Sequence, residues 1–269
     1  MPRSTCSGPR KKGDETGRNK IGTPRFWLYG VHPVREALGN PDRSKYRLIV
    51  TQNALNRLGE CVASSGLDPE IVSPRNVPVK FESGTSHQGC ALLVDPLPRR
   101  KLDRHLFEKR NDQPLLAVFL DRVTDPMNTG AILRTASIFG ADAVVAPARH
   151  SAKESGALAK AASGALDRIP YLRVPNLANS MISASDAGTT IIGLDGSATT
   201  DLDELVASID TASSIAVTFG SEGKGLRKRT RDCCHFMARI GRGGATGSLN
   251  VSTSVAITLY AIRTRQGLF

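Results

Sequence analysis

The chain has 269 residues, enough for two domains that each bury a core. Its 40% hydrophobic and 23% charged residues place it with ordinary globular proteins, and a formal net charge of +11 favours a polyanionic partner, nucleic acid first. No apolar run approaches the length that spans a bilayer, the N-terminus lacks the apolar core of a signal peptide and no metal-ligand spacing occurs, so neither a membrane protein nor a metal site is expected.

Residues 1–25 are polar, basic and rich in Gly and Pro, so they read as a disordered basic tail that attracts phosphate or aids solubility. Order begins near Phe26. "YGVHPVREALGN" predicts a short helix closed by Gly39-Asn40-Pro41, "YRLIVT" a strand, "NALNRLGECVASSG" one helix with a glycine stop and "CALLVD" a buried strand. Residues 26–96 thus form a small α/β unit, and the Pro-rich, charged segment 97–112 reads as a linker between units that could fold independently.

The second unit spans 113–269. "PLLAVFLD" predicts its first strand, residues 129–139 a helix, "DAVVAP" a strand and "SGALAKAASGAL" a helix. "TTIIGLD" and "SSIAVTFG" predict strands around the helical "TTDLDELVAS". "HFMARIG" follows as a strand, and "SLNVSTSVAITLYAIRTR" closes the chain as a helix. Alternation of this kind indicates an α/β fold with a mostly parallel sheet covered by helices on both faces. The five cysteines, Cys6, Cys61, Cys90, Cys233 and Cys234, are odd in number and lack a CxxC pair. They read as free thiols of a reducing, cytoplasmic compartment.

Three stretches carry chemistry. In "DPMNTGAILRTASIFG", Asn128 stands where a helix N-cap belongs, and Ile132, Ala136 and Phe139 form the core stripe. Arg134 lies off that stripe, near the carboxyl end of a parallel strand, where open α/β sheets bind ligands. A capping Asn and a solvated Arg are the plain alternative. The second stretch, "FGSEGKGL", follows a strand; its glycines allow close backbone approach, but it is not a Walker A loop. The third, "RIGRGGATGSLNVSTSVAI", imitates a dinucleotide fingerprint, but Thr246 takes the third glycine position and no βαβ unit follows. An oxidoreductase is therefore disfavoured. Val251, Val255, Leu259 and Ile262 form the apolar stripe of the helix it opens, with small Ser252, Thr253 and Ser254 beside it.

In their order, "DPMNTGAILRTA", "FGSEGKGL" and "SLNVSTSVAI" resemble the SpoU/TrmH family of RNA ribose 2′-O-methyltransferases, in the SPOUT superfamily. "YGVHPVREAL" and "HQGCALLV" are similar to the accessory RNA-binding domain of the branch that modifies 23S rRNA. The resemblance implies a SPOUT trefoil-knot sheet in 113–269 and RNA substrate binding by 26–96. It also implies an S-adenosylmethionine site in the knot loops and a homodimer with each site near the interface. By motif position, cofactor contacts fall on Gly220, Ile240 and Leu249, with Phe219 and Gly241 beside them. Arg134, Asn128, Glu222, Ser248 and Asn250 match the functional positions. Where the family often has proline, Gly241-Arg242 follows Ile240.

The implied reaction moves a methyl group to a ribose 2′-hydroxyl, most specifically a guanosine in the peptidyl-transferase region of 23S rRNA. Arg134 suits stabilisation of the developing alkoxide, because a guanidinium carries a fixed charge. Glu222 could orient Arg134 or accept the proton, and Asn128 and Asn250 read as positioning groups. The alternatives are a tRNA or resistance-type rRNA 2′-O-methyltransferase, or a non-catalytic RNA-binding or ribosome-assembly protein.

Overall fold

A computed structural model describes residues 24–79, 81, 85–98, 114–241 and 249–268. Nearly all of the basic tail and of the linker, and also Ser248, lie outside the described residues.

The small unit is built on a four-stranded sheet in the order β1 (Phe26–Tyr29), β4 (Cys90–Val94), β2 (Lys45–Val50), β3 (Pro69–Ile71). β4 runs antiparallel to both β1 and β2, and β3 is parallel to β2. Alternate residues Leu28, Leu48, Val50, Leu92 and Val94 turn to one face and join the core, as the two-residue period of a strand requires. Helix α1 (Val31–Gly39) follows β1. The single helix expected over "NALNRLGECVASSG" is two, α2 (Gln52–Leu58) and α3 (Glu60–Ser64). Gly59 divides them: its φ of +55° leaves helical space while its N–H still bonds Leu55 O at 2.9 Å. β1 and β3 are short and carry no alternating signal, so pattern reading missed them.

The large unit has seven strands in the order β7-β6-β5-β10-β8-β11-β9, and all six pairings are parallel. In chain order these are β5 (Leu116–Asp121), α4 (Pro126–Ile138), β6 (Ala143–Pro147), α5 (Gly156–Ala162) and a 3-10 turn at Ala165–Asp167. Then come β7 (Tyr171–Val174), α6 (Leu177–Asp186), β8 (Thr190–Leu194), β9 (Thr200–Asp201) and α7 (Leu202–Ser208). β10 (Ile215–Gly220), α8 (Lys228–Arg231), β11 (Phe236–Arg239) and α9 (Val251–Arg265) complete the unit. β7 and α6 escaped the sequence reading, although Leu177, Met181 and Ala184 of α6 are buried at helical spacing.

Along β5, Leu116, Val118 and Leu120 face one layer, while Ala117 and Phe119 face the other. The first layer holds Ile132 and Ala136 of α4 and the stripe Val251, Val255, Leu259 and Ile262 of α9. The second holds Leu177, Met181 and Ala184 of α6. Both faces are covered, as expected of a parallel sheet. The loop in which the resemblance implies a knot includes 242–248, outside the described residues. Cys61, Cys90, Cys233 and Cys234 carry free thiols. Among the described residues no helix is long and apolar enough to cross a membrane.

The first layer does not stop at the large unit. It runs on into Leu28, Val34, Leu48 and Leu92, so one apolar cluster serves both sheets. Gly156 of α5 sits where a β-carbon would come within 2.4 Å of Trp27 O and the Tyr29 ring. Arg43, on the small unit, is 2% exposed and closes the junction. Its guanidinium meets Glu154 Oε2 at 2.8 Å, Asp167 Oδ1 at 2.8 Å and the Asp95 carbonyl at 3.0 Å. Burial alone would lower the Arg43 pKa, but Asp167 and Glu154 outweigh it and hold the charge in place. The expected separation into independently folding units therefore meets a shared core and a buried ion cluster.

Candidate active site

The site gathers at the carboxyl ends of β5, β10, β8 and β11. β5 ends in Asp121, which is 1% exposed. Its carboxylate accepts from Arg227 N at 3.0 Å and Arg227 Nε at 2.8 Å, tying the segment after β10 to β5.

Asp125, not Asn128, caps α4. The Asp125 side chain accepts from Met127 N at 3.3 Å and Asn128 N at 2.8 Å, and Pro126 takes the first helical position, where its missing N–H costs nothing. Asn128 lies inside the first turn, so its amide is free for tertiary work. Asn128 Nδ2 donates to Glu222 Oε1 at 3.0 Å.

Glu222 rides on the turn Ser221–Gly225, closed by Gly225 N to Ser221 O at 2.9 Å. Gly220 permits this closure. A β-carbon there would lie 2.0 Å from the Gly225 carbonyl carbon and 2.4 Å from Leu226 N. The glycine is thus demanded by the chain's approach to itself.

Asn250 supplies the third element. Its Oδ1 caps α9 by accepting from Ser252 N at 2.8 Å and Thr253 N at 3.4 Å. Its Nδ2 donates to Asn128 Oδ1 at 2.9 Å and to Glu222 Oε1 at 2.9 Å. Three side chains from three motifs, up to 122 residues apart in sequence, close one triangle. Arg134 is not part of it. It is exposed on α4, away from Ile132 and Ala136, and has no partner among the described residues. By helical spacing it shares a face with Met127 and Ile138, which are 55% and 63% exposed.

Beside the triangle lies a cleft of about 790 Å³ into which Glu222 projects. All five expected cofactor positions, Phe219, Gly220, Ile240, Gly241 and Leu249, line it. Gly241 has a φ of +76°, which proline, fixed near about −65°, cannot adopt. A proline at this position would require a different backbone path.

Sequence reading missed the wall formed by Leu194, Asp195 and Ser197, and also Arg231 and Ser254. The wall follows β8, which flanks β10 in space but not in sequence; an Asp-Gly-Ser at a strand end was the available signal. Burial pushes the Asp195 pKa up, but hydrogen bonds from Ser197 and the Arg231 charge outweigh it and hold the carboxyl below its ordinary value. Ser197 donates through N at 2.9 Å and Oγ at 2.6 Å, and Arg231 pairs with the other oxygen. The donor set suits a nucleoside-like ligand: apolar Phe219, Ile240 and Leu249 for a flat ring, and open backbone at Gly223 and Gly241 for polar edges.

The model of the SpoU rRNA Methylase family matches residues 115–260. A Staphylococcus aureus protein named for the TrmH family of tRNA/rRNA methyltransferases is 32% identical over 87% of this chain and 94% of its own. An uncharacterized tRNA/rRNA methyltransferase of Mycolicibacterium vanbaalenii is 34% identical, covering 91% of this chain and 78% of its own. Among solved structures, the SpoU methyltransferase AviRb from Streptomyces viridochromogenes, in complex with AdoMet, superposes with a TM-score of 0.73 at 24% identity. That match covers 90% of this chain and 91% of AviRb, so the shared fold includes the small unit. The matching family model and full-length relatives, together with the convergence of all three motifs on one site, establish that this chain belongs to the SpoU/TrmH family of RNA methyltransferases.

Proposed function

We propose that the protein transfers the methyl group of S-adenosylmethionine to a ribose 2′-hydroxyl of RNA, with a guanosine in the peptidyl-transferase region of 23S rRNA as its target. The observation that carries this reading is the Asn128–Glu222–Asn250 triangle at the mouth of the cleft. The bound cofactor supplies an electrophilic methyl group on a sulfonium. Phe219, Ile240 and Leu249 hold its adenosine, and the backbone at Gly220 and Gly241 meets the polar edges. Because the 2′-hydroxyl exists only in RNA, this chemistry selects RNA over DNA.

The chain's own work is alignment and charge control. An oxygen–carbon bond forms as the sulfur–carbon bond breaks, and the hydroxyl proton must leave. Two amide donors fix Glu222 Oε1, which leaves Oε2 to face the ribose and accept the hydroxyl proton. Asn128 and Asn250 are positioning groups in this scheme. Arg134 stabilises the developing alkoxide by its fixed charge. Ser248, from the same motif as Asn250, completes the set.

The protein works as a homodimer in this reading. Met127 and Ile138 on α4, with Ile257 and Tyr260 on α9, expose apolar surface on two helices that pack together. A second copy would cover that surface and the face that bears Arg134.

The test is transfer of labelled methyl from S-adenosylmethionine to 23S rRNA, 16S rRNA and tRNA in parallel, followed by mapping of alkali-resistant positions. Label at one 23S guanosine is expected. Base methylation, or label confined to tRNA, overturns the substrate assignment.

A further inference from the structure

Resting on the RNA-methyltransferase reading, we infer that a cationic seam running along α5, from Arg149 and Lys153 to Lys160, Arg57 and Arg35, is the phosphate track that carries RNA between the small unit and the active site.

The track begins at the active-site rim. Arg149, His150 and Lys153 occupy the exposed loop between β6 and α5. A bond from Ala152 N to Val123 O, at 3.2 Å, pins this loop beside the entry to α4. His150 holds a φ of +60°, a conformation that is uncommon outside glycine. Helix α5 then leads away from the rim, and its Gly156 presses against Trp27 and Tyr29 of β1. Seven residues of helix span about 10 Å. They bring the chain to Lys160 at the seam with the small unit.

Lys160 is placed there by the small unit's shape. Its Nζ lies 2.6 Å from where a β-carbon on Gly30 would stand, so the absent side chain makes room for the ammonium. Arg57 is close enough to repel it, and Arg35 donates to the Arg57 carbonyl. Burial, aided by Arg57, lowers the Lys160 pKa, and the one opposing group is Cys90. That thiol is pushed up to about 11 by burial, so it is uncharged near neutrality. No carboxylate answers these cations among the described residues.

Some arginines elsewhere do find carboxylates: Arg47 pairs with Glu70, Arg168 with Glu36 and Arg239 with Asp201. At this same junction Glu154 and Asp167 are spent inside, on Arg43. The result is a neutralised interior and an unneutralised rim. Like charges gathered without counter-charge cost stability unless a polyanion arrives, and the phosphates of an RNA strand are such a polyanion.

The experiment uses the full chain and a labelled hairpin RNA with a single-stranded loop as the probe. Affinity is measured by anisotropy at about 50 and about 200 mM salt. The variants are Arg149→Ala/Lys153→Ala and Arg57→Gln/Lys160→Gln, and the control of equal charge loss is Arg229→Ala/Arg265→Ala. Calorimetric binding of S-adenosylmethionine reports that each variant is folded. For each seam variant, the loss of affinity across that salt range should shrink roughly tenfold relative to wild type, as expected when two phosphate contacts are removed. The control should fall much less. Seam variants that keep the wild-type salt dependence, or match the control, overturn the track. If the seam variants behave as expected while the wild type transfers no methyl group to any RNA, the track stands and the methyltransferase reading fails.

Discussion

Asn250 Nδ2 donates to Glu222 Oε1 at 2.9 Å while Asn250 Oδ1 caps α9, so one amide both starts the last helix and fixes the site's carboxylate. Asn250→Ala should cost about 1 kcal/mol of stability through the lost cap. It should also cut methyl transfer by more than that loss explains. Asn250→Asp keeps an acceptor for the cap but sets a second carboxylate against Glu222. It should melt near the wild-type temperature and still transfer poorly. Parallel melting and transfer assays on both variants separate capping from catalysis.

Arg134 is exposed and has no hydrogen-bond or ion-pair partner among the described residues. Arg134→Ala should therefore leave the melting temperature and the S-adenosylmethionine affinity close to wild type while abolishing transfer. Near-normal turnover on a competent RNA would remove Arg134 from the chemistry.

At Gly220 there is no room for even a methyl group. Gly220→Ala should open the Ser221–Gly225 turn and displace Glu222. Calorimetry should show S-adenosylmethionine binding reduced at least tenfold. An unchanged affinity would mean that the turn is not part of the cofactor site.

Asp195 has a folded pKa below its unfolded value. Its contribution to stability is present above the ordinary carboxylate range and is lost as pH falls through the lowered folded value. Asp195→Asn should therefore flatten the acid limb of the stability profile and leave its alkaline limb unchanged. Melting curves from about pH 7 down to about pH 3 would check it.

Arg43 sits in a cluster whose charges lack solvent. Arg43→Ala would strand Asp167 and Glu154, at a cost of about 3–5 kcal/mol. Arg43→Met with Asp167→Asn and Glu154→Gln should recover much of that loss, because the stranded charges are gone. Chemical denaturation of both variants reads the difference.

Much of the fold was legible where strands were long and apolar. β4, β5, β6, β8 and β10 all announce themselves as Val-, Ile- and Leu-rich runs. Shorter strands did not, because Phe26–Tyr29 and Pro69–Ile71 gain their identity from partners distant in sequence. The three motifs named Asn128, Glu222 and Asn250, which the structure brings together, but not the bonds between them. Asn128 looked like a cap because Asp125 three residues earlier competes for the same role, and only the helix's actual start decides between them. Asp195 and Arg231 were hidden by topology, since β8 and β10 are neighbours that the chain order does not advertise.

The buried Arg43 cluster and the shared apolar layer leave the small sheet no hinge on which to swing. The distance from that sheet to the Glu222 carboxylate is then a built-in length, and the protein behaves as a gauge. On the proposed reading, in which the small sheet holds RNA, a substrate would be accepted when the ribose to be modified lies one fixed offset from the feature held there. Substrates would be sorted by their three-dimensional spacing as much as by the base at the target.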